Sequence, residues 1–264
     1  MRKYMEIARV YLKTQLAWRS DTVFQILFAL SKIIFAYLLW GVIFDGKSEV
    51  AGFTFDGMLS YYIFSSFLTQ IEMSERISTM VSTGIRNGTF SKYMVIPVNT
   101  KSYFLAMEAG CVVFYLGFDI LTAALWIFLF RINLVFTGSW LTIGGAVVMI
   151  LLGLLFMAQL NYLLGILTLK FQEISTFLMI KDNLMALVTG SIVPLVLFPE
   201  KIVAVMRLLP FYYVTYLPAM LLTGKCSDEL AGGLAVLGFW CIALECAIGK
   251  TWSACRRTYE GVGI

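Results

Sequence analysis

The sequence predicts an all-α integral membrane protein: an amphipathic N-terminal interfacial helix, six transmembrane helices, and re-entrant outer helices between the fifth and sixth. Three observations carry this expectation. Hydrophobic residues fill 60% of the 264 positions and charged residues 14%, against about 45–50% and about 25% in a soluble domain. The apolar residues fall into six long runs with charges at their ends. Those charges are shared unequally between alternate connections, which is the positive-inside pattern. No stretch between the runs is long enough for a soluble domain, so residues 1–264 read as a single transmembrane domain.

In residues 3–18, Tyr4, Ile7, Ala8, Tyr11 and Leu12 recur at the helical period, with Lys3, Glu6, Arg9 and Lys13 on the other face. This predicts a helix lying in the membrane interface with its cationic face toward the lipid headgroups. A helix packed on the protein's own surface is the alternative. A signal peptide is not expected, because the first apolar run is too long for one and no small-x-small cleavage site follows it.

A span needs about 20 apolar residues. The first run, 22–44, is interrupted only by Lys32. The second, 58–71, is short unless 52–57 joins it, and the third, 103–130, carries Glu108 and Asp119. The fourth lies within the uncharged stretch 132–169, from Leu141 onward. The fifth is 183–199, extendable backward through Lys181 and Asp182, and the sixth is 230–249, with Glu245 near its end. With the N-terminus inside, fourteen Lys and Arg residues collect on the cytoplasmic side and five (Lys47, Arg131, Lys201, Arg207, Lys225) on the outer side. Six spans with both termini cytoplasmic follow from that bias.

Two connections are longer than turns. The cytoplasmic segment 72–102 begins with residues that suit a helix and then reaches Gly84, Asn87-Gly88 and Pro97, which are turn signals. The outer segment 191–228 places Pro194, Pro199, Pro210 and Pro218 among apolar and aromatic residues. A solvated loop would be polar, and two further spans would need about 40 residues plus a turn. The segment therefore reads as short helices that dip into the outer leaflet, where protein covers their irregular backbone.

The chemistry-bearing residues are few. The chain has no histidine, which removes the commonest general base and metal ligand. Its five cysteines form no C-x-x-C and suggest no metal site or disulfide framework. The basic charges sit at the ends of apolar runs, so a nucleic-acid partner is not expected. Gly249-Lys250-Thr251 matches only the end of a P-loop, because Leu244 stands where the pattern needs its first glycine. Asn87-Gly88-Thr89 fits a glycosylation sequon but reads as a turn. Ala231 and Ala235, with Gly232 and Gly233 beside them, form a small-x-x-x-small stripe suited to helix contact. Lys32 and Asp119 fall near the middle of their spans, where a charge is costly and pairing or a conduit is expected. Glu108, Lys181, Asp182 and Glu245 are expected near the cytoplasmic surface, within reach of water. No nucleophile with an adjacent base and no catalytic carboxylate pair is evident, so an enzyme is disfavoured.

The order of these parts resembles the membrane permease of an ATP-binding-cassette transporter of the type-2 export class. The resemblance rests on the elbow helix, on Ile85-Arg86-Asn87-Gly88-Thr89-Phe90 running to Pro97 before the third span, and on Leu209-Pro210-Phe211, Tyr216-Leu217-Pro218-Ala219 and Leu222-Thr223-Gly224 in the outer segment. The basic, aromatic tail 252–261 adds to it. The resemblance implies a separate ATPase subunit, in two copies, that holds ATP and Mg and docks on the cytoplasmic loop. Arg76, Ile85, Arg86, Phe90 and Tyr93 are the candidate contacts. It also implies a second permease chain, identical or paralogous, and a substrate path along the second and fifth spans with Tyr61, Tyr62, Phe67, Asn183 and Met185 as candidates. Drug, peptide or lipid-like substrates would leave outward. An ion- or proton-coupled carrier using Lys32 and Asp119, and a non-transporting membrane scaffold, are the other readings.

Overall fold

A computed structural model of the chain describes residues 2–17, 19–188, 195 and 198–255, without the side chains of 19–23, 25–27, 29, 30, 32, 33, 130 and 255. Most of the described residues are helical, and none belongs to a strand. Helix α1 is Arg2–Ala17, α2 Arg19–Ile43, α3 Phe55–Ile71, α4 Glu75–Arg86, α5 Ser91–Val95 and α6 Thr100–Phe130. Helix α7 is Trp140–Phe171, α8 Ser175–Val188, α9 Glu200–Met206, α10 Tyr216–Leu222 and α11 Leu230–Cys255.

Side-chain caps fix several of these starts. The Thr54 Oγ1 accepts the Gly57 N–H at 3.2 Å, so α3 takes in residues 55–57 of the segment that the hydropathy alone left open. The Asn99 side chain accepts the Ser102 N–H, and the Ser139 Oγ accepts the Thr142 N–H. Each satisfies an N–H group that has no partner within its own helix.

Three helices among the described residues are long and apolar enough to cross a membrane: Thr100–Leu129, Trp140–Phe171 and Ser227–Ala254. A bent pair, Glu200–Met206 with Pro210–Leu222, would make a fourth if read as one span, but its halves meet at 91°. Among the described residues the expected count of six is not reached on length and composition. Helix α3 has 17 residues and α8 only 14, short of the roughly 20 that match a hydrocarbon core. The fifth run also starts earlier than its hydropathy suggests, at Ser175 and not at 183. Its residues 189–194, 196 and 197 lie outside the described residues, as does the tail from 256.

Helix α7 is the axis of the fold, with α11, α4 and α10 packed around it. Glycines permit the closest approaches. A Cβ at Gly153 would lie 3.3 Å from the Val214 Cα, and one at Gly233 would lie 2.8 Å from both the Leu217 Cδ2 and the Met149 Cε. The short helical segments of 210–221 therefore wedge between α7 and α11, with every residue from Pro210 to Leu221 buried. Gly233 serves this internal contact. Ala231 and Ala235 of the same stripe remain exposed.

Helix α1 packs along α6. At Gly110 a Cβ would come within 2.2 Å of the Ala8 carbonyl oxygen. No residue of α1 is fully buried, so one face lies against α6 and the charged face stays exposed.

Candidate functional site

The candidate site is the turn that joins α3 to α4 and the short α5 beyond it. Helix α4 is amphipathic, with Ile77, Val81 and Ile85 at successive steps of four residues, and all three are buried. That stripe faces α7, where Gly165 leaves the room: a Cβ there would sit 2.8 Å from the Val81 Cβ. The helix ends at Asn87, and Gly88 follows at φ 68°, a conformation glycine adopts without a Cβ penalty. This is the turn expected at Asn87-Gly88-Thr89. The Phe90 N–H then donates to the Gly84 carbonyl at 2.9 Å, which folds α5 back under α4.

An aromatic cluster fastens this fold-back. Phe90 packs against Tyr93 and Trp252 with ring centroids 5.7 and 6.1 Å apart. Tyr93 meets Phe104 at 5.0 Å and Tyr103 at 5.4 Å. Tyr103 and Tyr11 share a hydroxyl–hydroxyl hydrogen bond of 3.1 Å. One connected set of rings thus links α1, α5, α6 and α11 to the turn after α4.

The five loop candidates therefore divide. Ile85, Phe90 and Tyr93 are buried in this cluster. Arg76 turns toward α6 and donates from Nη2 to the Tyr115 hydroxyl at 3.0 Å. Arg86 is exposed, and its Nη1 lies 3.0 Å from the Glu173 Oε2. Glu173, which the sequence reading did not single out, also accepts the Ile174 and Ser175 N–H groups through Oε1 at 3.1 and 3.0 Å. The Ser175 hydrogen bonds hold its carboxyl below the usual glutamate range, with Arg86 adding to the effect. Glu173 thereby caps α8 and joins the α7–α8 connection to the end of α4.

A buried polar chain lies beneath the α3–α4 turn. The Asn161 amide donates to the Ser74 Oγ at 2.7 Å, and the Lys181 Nζ donates to the Asn161 Oδ1 at 3.2 Å. Lys181 also pairs with Asp182 at 3.0 Å. The Met73 N–H donates to the Glu108 Oε1 at 3.1 Å, and Ser74 donates to Glu72 through both its hydroxyl and its N–H. Glu108 and Lys181 are only 4% and 6% exposed, which corrects the expectation that water reaches them. They stay in place because the bared backbone of the turn and the Asn161 amide supply partners. Asp182 and Glu245 are exposed as expected, and Glu245 pairs with Lys101 and accepts from the Gln159 Nε2 at 2.9 Å.

The five path candidates do not converge on one surface. Tyr61 is buried against Phe53 and Tyr216, and Tyr62 is half-buried beside Trp40. Phe67 lines a cavity between α3 and α6 that Asp119 also lines. Asn183 is exposed and Met185 half-buried on α8. The side chain of Lys32 lies outside the described residues, so its pairing with Asp119 is not described. Residues 248–251, the partial P-loop match, are continuous helix within α11.

At the opposite end of the bundle, Glu229 gathers two donors: the Arg207 Nη2 at 2.6 Å and the Tyr212 hydroxyl at 3.0 Å. Lys225 bonds the Gly52 carbonyl and stands 3.7 Å over the Phe53 ring. These contacts clamp the short helices to the α2–α3 connection and to the start of α11.

A family model described as ABC-2 family transporter protein matches residues 30–263. No curated protein matches the chain.

Proposed function

The chain belongs to the ABC-2 transporter family, and from that premise we propose that it is the transmembrane subunit of an ATP-driven exporter. Membership makes it a membrane transport subunit and not an enzyme. In our reading α2, α3, α6, α7, α8 and α11 are six spans, and α1, α4 and α5 mark the cytoplasmic end, with both termini there. The sequence bias of fourteen cationic residues to five supports that orientation. The bent α9–α10 unit is the outer, re-entrant element.

The observation that carries the proposal is the α4–turn–α5 unit. Its inner face is locked to α1, α6, α7 and α11 by buried aromatics, and its outer end presents Arg86. A unit so fastened passes a push at its exposed end to the helices behind it. The partner is a separate ABC ATPase in two copies, which binds ATP and Mg and supplies that push. A second permease chain, identical or paralogous, completes the path. The exposed apolar residues of α8, among them Met179, Ile180 and Leu187, suit that role. Substrate, whether drug, peptide or lipid-like, leaves outward.

The test is purification of the tagged chain from its native membrane. An ABC ATPase is expected to co-purify and its hydrolysis to depend on the chain. Transport that continues without ATP but stops when the proton gradient is dissipated would refute the reading.

A further inference from the structure

A cavity of about 310 Å³ opens between the start of α6 and the last turns of α11, at the same end of the bundle as the α4–α5 turn. The start of α6 supplies donors, because the first N–H groups of a helix have no partner within it. The Asn99 side chain takes the Ser102 N–H. Among the described residues the Thr100 and Lys101 N–H groups have no acceptor, and both residues line the cavity.

Tyr162 of α7 lines the same cavity and is only 2% exposed. Its hydroxyl has no hydrogen-bond partner among the described residues, yet it is not sealed from the cavity as the Asp119 carboxylate is sealed from its own. A hydroxyl buried this deeply is costly without a partner, so its open side points to an occupant. Gly249 of α11 leaves the room: a Cβ there meets nothing within 4 Å.

Charge selects the ligand. Lys101 and Glu245 face the cavity as an ion pair, and Glu245 also accepts from the Gln159 Nε2 at 2.9 Å. The two charges therefore largely cancel. What remains is the positive end of the α6 dipole, roughly half a charge. Lys3 adds to it from the rim, where its Nζ lies 3.4 Å from the Pro97 carbonyl. A cation meets the wrong end of that dipole, and an apolar molecule leaves the donors unpaired. A phosphate suits both, since helix starts hold phosphates and three acceptor oxygens can serve the N–H groups and the hydroxyl together.

We propose that this cavity binds a phosphate group, held by the Thr100 and Lys101 N–H groups and the Tyr162 hydroxyl. A phospholipid headgroup and a free phosphate share that chemistry. The site stands apart from the loop and path candidates and does not depend on the transport reading.

The test uses the full chain in dodecyl maltoside with two probes. Phosphatidic acid is followed by native mass spectrometry, with diacylglycerol of the same chains, which lacks the phosphate, as its control. Radiolabelled inorganic phosphate is followed by equilibrium dialysis. Binding of phosphatidic acid above diacylglycerol identifies the lipid as the source, and binding of inorganic phosphate alone identifies a soluble one. In either case Tyr162→Phe should weaken the bound probe about tenfold to hundredfold, the range for one hydrogen bond to a charged group. It should leave the unfolding midpoint unchanged, because the hydroxyl has no partner within the protein. Gly249→Leu fills the cavity, leaves every polar group in place and should weaken the same probe. If neither probe binds, or if the bound probe is held equally by wild type, Tyr162→Phe and Gly249→Leu, the proposal is overturned. Loss of the probe in Tyr162→Phe with a matching fall in the unfolding midpoint assigns the hydroxyl a structural role and overturns it too.

Discussion

Replacing Gly165 with alanine puts a methyl carbon 2.8 Å from the Val81 Cβ, 3.0 Å from its Cγ1 and 3.3 Å from the Ser78 Cα. Carbon atoms rest about 3.5–4.0 Å apart, so α4 would have to withdraw from α7 by roughly 0.7–1.2 Å. Overpacking of this kind costs about 1–3 kcal/mol. Alanine also favours a helix by up to about 1 kcal/mol over glycine, which would mask part of the loss. Gly238 in α11 has nothing within 4 Å of its would-be Cβ, so Gly238→Ala reports the helix preference alone. The difference between the two variants should therefore be the full packing cost, about 1–3 kcal/mol. Unfolding in mixed micelles of rising dodecyl sulfate fraction, followed by circular dichroism, measures it. Because α4 can separate before the rest unfolds, trypsin cleavage after Arg86 is the local readout and should accelerate in Gly165→Ala. Adding Val81→Ala removes the 3.0 Å contact with Cγ1 but keeps the closer one with Cβ, so it should slow cleavage only in part. Equal stability shifts in the two glycine variants, with unchanged cleavage after Arg86, would refute the close α4–α7 contact.

Further outcomes follow from the same contacts. Arg86→Glu should leave the unfolding midpoint nearly unchanged, because the pair with Glu173 is exposed, yet weaken ATPase association several-fold in a pull-down. Glu173 gives a pH dependence: its folded carboxyl titrates below the ordinary 4.5, so its hold on the α7–α8 turn is complete above that value and is lost as pH falls through the lower folded value. Proteolysis near 171–175 should rise on acidification in the wild type, whereas Glu173→Gln should show no such dependence. Asn161→Leu should destabilise by about 1–3 kcal/mol, because it takes one hydrogen-bond partner from the buried ammonium of Lys181, which keeps its pair with Asp182. Lys181→Met removes that charge and should cost less in the same unfolding assay; the reverse order would contradict the buried chain.

The apolar runs made the long helices legible, since hydropathy records the cost of leaving apolar side chains in water. The boundaries depended on local hydrogen bonds that hydropathy does not register. Thr54 brought residues 55–57 into α3 through its cap on Gly57. Glu173 started α8 at Ser175, well before the apolar run, and Lys181 did not interrupt that helix because Asn161 lay opposite it. Among the loop candidates Ile85, Phe90 and Tyr93 are buried and Arg86 is exposed, a difference in depth that the sequence does not record. The spacing of Ile77, Val81 and Ile85 already implied a buried stripe, yet only the fold shows that α7 receives it at Gly165. Glu173 carried no motif. Its significance arises from a partner 87 positions away, a separation that no local pattern can convey. The scatter of the path candidates has a similar origin: neighbours such as Tyr61 and Tyr62 point in different directions around one helix.

The contact between Gly110 and Ala8 constrains how the protein can respond to its surroundings. Two backbones this close cannot slide past each other without a side chain or a carbonyl standing in the way, and the Tyr11–Tyr103 hydrogen bond pins the same pair of helices nearer the end of the bundle. Two fixed points on one pair of rods remove both translation and swivel, so α1 and α6 tilt together. If α1 rests on lipid, changing the angle of α6 means pressing a charged helix into the headgroups or lifting it away. The thickness and charge of the surrounding leaflet then enter the energy of every such motion, and the bilayer becomes a spring in parallel with the protein's own.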